Sequence, residues 1–99
     1  MNKISLRDHE IETYVNIQKN IMNEKRFRIL LYLNKEESTW SALMKELDIR
    51  NPKLLHDHIT ILANSNLIKK NSEGFYCLTK LGKSCIETNI SLMKKLNEK

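Results

Sequence analysis

The side chains most able to do chemistry in this 99-residue chain are two histidines, His56 and His58, and two cysteines, Cys77 and Cys85. Helical metal sites place histidines at i, i+4, on one face. His56 and His58 stand at i, i+2, on different faces, so they do not chelate as a pair. The C-x7-C spacing of the cysteines matches no metal motif without further ligands. Neither thiol has an evident base or cation beside it in sequence to lower its pKa, which leaves a redox role little support. No Ser-His-Asp set, phosphate-binding glycine loop or carboxylate pair is visible. The reading is therefore a protein that is not an enzyme, with no catalytic residue, no metal and no cofactor.

The basic residues say more. Lys and Arg total 17 against 12 Asp and Glu, a net charge of +5. Arg50, Lys53, Lys69, Lys70, Lys80 and Lys83 face only Asp57 and Glu73 between Arg50 and Lys83, so four of the five net charges lie in one third of the chain. A localised basic surface is the footprint of a polyanion partner, most often nucleic acid. A Lys-rich face that only solvates the protein is the plainer reading of the same charge.

These residues need elements to hold them. A chain of 99 residues with 40% hydrophobic and 29% charged residues is read as one small globular domain. Two Gly and one Pro favour helices over a sandwich of strands. The longest apolar run, Ile29 to Leu33, is too short to span a membrane, and the start of the chain lacks an apolar signal segment. The expected location is cytoplasmic, nucleoid-associated, with reduced thiols.

A first helix is expected over Ser5 to Ile21, opened by Ser5 and Asp8 at capping-box spacing. Asn23 caps a second helix, Glu24 to Leu33, unless the two form one long kinked helix. Thr39 and Trp40 read as a very short strand, and Ser41 caps a helix to about Leu47 with Leu43, Met44 and Leu47 inward. After the tight connection Asp48 to Asn51, Asn51 caps a helix from Pro52 to about Asn64, with Pro at the first helical position. Its inward residues are Leu55, Ile59 and Leu62. Leu67 to Asn71 and Phe75 to Thr79 form a hairpin about Ser72-Glu73-Gly74. Thr79 caps a last helix to about Leu96. Trp40 is expected in the core, His58 at its edge, and Cys77 on the strand face away from Tyr76 and Leu78, toward solvent.

The stretch from Trp40 to Ile68, with His58-Ile59-Thr60-Ile61-Leu62 leading to Asn66-Leu67-Ile68, resembles the winged helix-turn-helix of ArsR- and MarR-type transcriptional regulators. Their pattern "His-Leu-x-x-Leu-x-x-x-Gly-Leu-Ile" has Gly where this chain has Asn66, the next-best residue for a left-handed helix end. Lys25-Arg26-Phe27-Arg28-Ile29-Leu30 resembles the family's "Arg-x-x-Ile-Leu" helix. Tyr76-Cys77-Leu78-Thr79-Lys80-Leu81-Gly82 resembles its "Tyr-x-Leu-Thr-x-x-Gly" wing end. The likeness runs from about Glu24 to Lys83. The long last helix looks more like archaeal winged-helix proteins that dimerise through a C-terminal coiled coil. The Cys-x-Cys metal pair of many ArsR-type sensors is absent. The fold class so implied is mainly α with a small β-hairpin (α+β), a winged helix-turn-helix with extra N- and C-terminal helices.

A helix of this kind enters the major groove of double-stranded DNA by its N-terminal residues. The face left by Leu55, Ile59 and Leu62 carries Lys53, Leu54, His56, Asp57, Thr60 and Ile61, preceded by Arg50 and Asn51. Lys53 can reach a phosphate or a guanine edge, His56 and Thr60 can hydrogen-bond, and Leu54 can meet a thymine methyl. Asp57 accepts from cytosine, holds His56 or Lys53, or repels phosphate. Lys69, Lys70, Asn71 and Ser72 lie on the wing, which in such regulators reaches the minor groove or its flanking phosphates. Lys69 and Lys70 point to opposite sides of the strand.

Ile11, Tyr14, Val15 and Met22 on the first helix, and Cys85, Leu92, Met93 and Leu96 on the last, form apolar stripes. The core from residue 23 to 83 is expected to be complete without them, so residues 1–22 and 84–99 are assigned to a homodimer interface. Cys85 could meet its twin across the two-fold and form a disulfide if the Cα atoms come within ~7 Å. The combined expectation is a sequence-specific, homodimeric DNA-binding regulator; no small-molecule effector follows from the residues. A chromatin-type binder with little sequence preference and a protein-interaction module, using Leu54 and Ile61 as a contact, are the alternatives.

Overall fold

The structure, a computed structural model, describes residues 7–98. Its elements are α1 (Asp8–Ile21), α2 (Glu24–Lys35), α3 (Trp40–Glu46), α4 (Pro52–Asn64), β1 (Ile68–Lys70), β2 (Tyr76–Leu78) and α5 (Lys80–Leu96). Short polar side chains start four of the helices by accepting a backbone N–H that the helix leaves free. Asn23 accepts from Arg26, Thr39 from Ala42, Asn51 from Lys53 and Thr79 from Gly82. Each such cap is worth about 1 kcal/mol over Ala.

Asn23, Asn51 and Thr79 are the expected caps; the start of α3 departs from the sequence reading. Ser5 lies outside the described residues; Asp8 is the first residue of α1, and the Glu10 carboxylate accepts from the Arg7 N–H at 2.9 Å. α1 and α2 are two helices, because Met22 leaves the helical range and Asn23 is extended. Thr39, not Ser41, caps α3, so Trp40 is helical. The strand-like contact expected at Thr39 and Trp40 falls one residue earlier, where Ser38 and Tyr76 exchange N–H···O bonds of 3.0 and 2.7 Å.

The turn after α3 and the end of α4 share one device. The N–H of Ile49 reaches the Met44 carbonyl and that of Asp48 the Lys45 carbonyl; Leu67 and Asn66 do the same with Leu62 and Ala63. Both are Schellman ends, which need a left-handed residue. Asp48 supplies it at φ 51° and Asn66 at φ 61°. The tight turn therefore delivers Asn51 and Pro52 directly to the start of α4.

β1 and β2 pair antiparallel, with Ile68 opposite Leu78, Lys69 opposite Cys77 and Lys70 opposite Tyr76. The strands are shorter than expected because Asn71 and Phe75 belong to the turn. The Asn71 side-chain oxygen accepts from Glu73 and Phe75, and Gly74 takes a φ of 87°.

One buried cluster joins every helix: Ile21 of α1, Ile29 and Leu30 of α2, Leu43 of α3, Leu55 and Leu62 of α4, and Ile86 of α5 are all fully buried. Ile21 and Ile86 correct the expectation that the core closes within residues 23–83. The terminal helices complete the core with these residues and project beyond it. Trp40 is half-buried against the cluster, and Cys77 is half-buried like its β2 neighbours rather than turned fully to solvent.

Candidate nucleic-acid interface

α4 presents two chemically different faces. Leu55, His58, Ile59 and Leu62 are buried, while Lys53, Leu54, His56, Asp57 and Thr60 are exposed. Ile61 is half-buried, at the boundary. The buried set seats the helix on the core; the exposed set lies on its free side.

The exposed groups are organised among themselves. Lys53 Nζ lies 3.2 Å from Asp57 Oδ2, one helical turn on. His56 Nε2 and Thr60 Oγ1 are 3.5 Å apart, and the His56 ring stands 6.5 Å from the Trp40 ring at a 51° tilt. Trp40 of α3 thus flanks the imidazole, a proximity with no signal in the local sequence. Asn51 spends its side-chain oxygen on the cap of α4. Arg50, on the connection, extends into solvent with its Nε 3.6 Å from Asp48.

The wing places Lys69 and Lys70 on the surface. They alternate as expected: Lys70 Nζ sits 5.3 Å from the centre of the Tyr76 ring across the ladder, and Lys69 lies on the side of Cys77. Ser72 is exposed at the tip. The Asn71 side chain is engaged on both atoms, its oxygen in the turn and its nitrogen 3.4 Å from Glu37, so it shapes the wing.

His58 faces the other way, into the molecule. Its Nδ1 is 3.2 Å from Arg26 Nη1, on α2. Burial, followed by the Arg26 charge, pulls its pKa below the ordinary histidine range, against the opposing effect of Asp57. Among the described residues no three His, Cys, Asp or Glu side chains gather around a point that could hold a metal ion.

The apolar stripes are exposed. Ile11, Tyr14, Val15 and Met22 on α1, and Leu92, Met93 and Leu96 on α5, all present large apolar surfaces, Leu96 at 76% exposure. A groove of about 320 Å³ runs between Met22, Phe27, Asn89, Leu92, Met93 and Leu96. Cys85 is a half-buried free thiol, raised in pKa by that burial. No helix among the described residues is long and apolar enough to cross a membrane.

The chain is similar in structure to solved proteins over most of its length. HlyU from Vibrio cholerae N16961 is 26% identical, with 87% of this chain and 97% of that one covered at a TM-score of 0.76. The transcriptional regulator HlyU from Vibrio vulnificus CMCP6 is 25% identical, with 86% and 92% covered at 0.68. Mb0332 from Mycobacterium bovis, described as a homodimeric winged helix-turn-helix DNA-binding domain and a possible ArsR-family regulator, is 15% identical, with 94% and 91% covered at 0.73. The fold is a winged helix-turn-helix. No protein-family model matches the chain, and no curated protein matches it by sequence. In winged-helix terms α3 and α4 are the helix-turn-helix pair and β1–β2 the wing. The winged helix-turn-helix expected from the chain's own motifs is thus the fold it adopts.

Proposed function

We propose that this protein is a sequence-specific regulator of transcription that binds double-stranded DNA as a homodimer. α4 enters the major groove, and the wing rests on the flanking minor groove or its phosphates. The observation that carries the reading is the two-faced α4: an apolar side seated on the core, and an outer side of Lys53, Leu54, His56, Asp57 and Thr60, whose donors, acceptors and apolar group suit base edges in the major groove. Arg50, Asn51, Lys69, Lys70, Asn71 and Ser72 frame it. The described roles of HlyU and Mb0332, as a regulator and a homodimeric DNA-binding domain, support the same reading. The exposed stripes of α1 and α5 form the dimer contact, and the location is cytoplasmic, at the nucleoid.

Selection from a pool of random-sequence duplexes at fixed salt tests this. A two-fold symmetric motif with half-sites about one helical turn apart is the expected product. Retained binding without any enriched motif makes the protein an architectural DNA binder. Absence of binding, with no steep fall of affinity as salt rises, removes DNA as the partner and leaves a protein-interaction module.

A further inference from the structure

Beneath the outer face of α4, at the edge of the apolar core, lies a half-buried polar joint. Arg26, at the start of α2, donates from Nε to the backbone carbonyl of Asn20, in the last turn of α1. Its Nη1 meets His58 Nδ1, on the inner face of α4, at 3.2 Å. The Asn20 amide then donates to Ser65 Oγ, at the C-terminal end of α4, at 2.7 Å, and Ser65 in turn donates to the Ile61 carbonyl at 2.8 Å. Two attachments therefore hold α4 to the junction of α1 and α2, one mid-helix at His58 and one at its end at Ser65.

The two attachments differ in chemistry. Asn20 to Ser65 is a neutral pair and is indifferent to acid. Arg26 is always a donor and always charged, so it binds His58 only while Nδ1 carries no proton. A protonated imidazole offers no acceptor and sets a second positive charge against the guanidinium. We propose that Arg26 and His58 form a proton-sensitive pin that positions the recognition helix, and that protonating His58 releases the DNA-reading half of α4 while Asn20 and Ser65 retain its end. This rests on the reading of α4 as the DNA-facing helix. Arg26 and His58 are positioning residues; neither lies on the exposed face.

The surroundings favour the neutral state that the pin needs. From α2, Arg26 and Lys25 both act against a charge on His58; from α4 itself Asp57 favours one. On α1 the group joined to the pin is Asn20, which is uncharged. Burial acts in the same direction as the two cations and is the largest of these effects. The pin is thus closed at neutral pH and opens only on acidification.

The test uses the full chain in a His56→Gln background, so that no exposed imidazole on the same helix titrates as well. Nitrogen chemical shifts of His58 should report the tautomer with hydrogen on Nε2 at neutral pH. Amide exchange across α4 and affinity for a mixed-sequence duplex are then followed from neutral pH to about pH 5, at constant ionic strength. Acid should lower the protection factors between Lys53 and Ile59, taken against the intrinsic exchange rate at each pH, and weaken binding severalfold. His58→Asn, which keeps an acceptor near the Nδ1 position but cannot be charged, should abolish both responses. Arg26→Gln should give the loosened α4 at every pH. A hydrogen on Nδ1 at neutral pH, or an acid response in His58→Asn equal to that of the parent, overturns the pin. If the native chain, with His56 in place, does not bind duplex at neutral pH, the DNA reading fails, while the exchange data still decide whether the pin exists.

Discussion

Gly82, in the first turn of α5, packs directly against the backbone carbonyl of Leu67, leaving no room for a Cβ. The same carbonyl accepts the Thr79 N–H, and Thr79 Oγ1 both accepts from Gly82 and donates to the Asn66 carbonyl. The end of α4, the start of β1 and the start of α5 are thereby locked together. Gly82→Ala should destabilise the protein by about 1–3 kcal/mol, because backbone rather than a flexible side chain must move. Urea denaturation measures this; an unchanged midpoint would show that α5 can shift freely.

This contact also marks what the sequence carries. The spacing of Thr79 and Gly82 is readable as a motif, and so are the caps at Asn23, Asn51 and Thr79 and the left-handed Asn66, since each is settled within a few residues. The faces of α4 follow from periodicity. The expected start at Ser41 failed by two residues because Thr39 and Ser41 are equally good capping types; the bridge from Ser38 to Tyr76 selects between them. Arg26 with His58, Asn20 with Ser65 and Trp40 with His56 were invisible. Each joins separate elements, and no local pattern encodes such a pair. The same limit applies to the extent of the core: an apolar stripe shows that Ile21 and Ile86 are buried by something, but not by what.

Asp57 restrains the charge on Lys53. Both side chains are largely exposed, so their pairing contributes little to stability, within about 1 kcal/mol. In the DNA reading, however, Asp57 places a negative charge beside the phosphates. Asp57→Asn should leave the urea midpoint nearly unchanged, tighten binding to mixed-sequence duplex, and steepen its salt dependence by up to ~1 in the logarithmic slope. Lys53→Ala should reduce the slope by ~1. Weaker binding by Asp57→Asn at one base position only would instead make Asp57 a base reader.

The two wing lysines are not equivalent. Lys70 stands over the Tyr76 ring, a contact worth ~0.5–1 kcal/mol at an exposed site, whereas Lys69 is on the other face of the strand. Lys69→Gln should therefore affect duplex binding and little else. Lys70→Gln should also lower stability. Fluorescence anisotropy with specific and random duplexes, paired with thermal unfolding, separates the two effects. If both variants lose affinity for the selected site alone, the wing reads groove width rather than charge.

His58 makes folding itself acid-sensitive. Its pKa in the folded protein lies below the ordinary value of 6.5, so the unfolded chain binds the proton more readily. Stability is then fully present above about pH 6.5 and declines as pH falls through the folded-state value. The urea midpoint of the native protein should drop between about pH 6.5 and 5, ahead of general carboxylate protonation. His58→Asn should flatten that part of the curve. A midpoint constant over this interval would mean that the buried imidazole accepts its proton without cost.

The apolar stripes on α1 and α5 remain to be covered. Leu92 and Leu96 are 57% and 76% exposed, and Ile11 and Tyr14 are 47% and 65% exposed. Patches of this extent are unusual on monomers, and two-fold pairing is the commonest closure, presenting two copies of α4 ~34 Å apart to successive turns of the major groove. Shortening the chain at Lys83 cannot test this, because it removes Ile86 from the core. Leu92→Glu with Leu96→Glu can, since neither side chain contributes to the buried cluster. Sedimentation equilibrium should find the native chain dimeric at micromolar concentration. Burying an unpaired carboxylate costs about 3 kcal/mol or more, so the double variant should dissociate at least about a hundredfold more readily. Its circular dichroism should stay helical, and its binding to a two-half-site duplex should fall to that of a single half-site. A double variant that still dimerises as tightly as the native chain would move the interface away from α5.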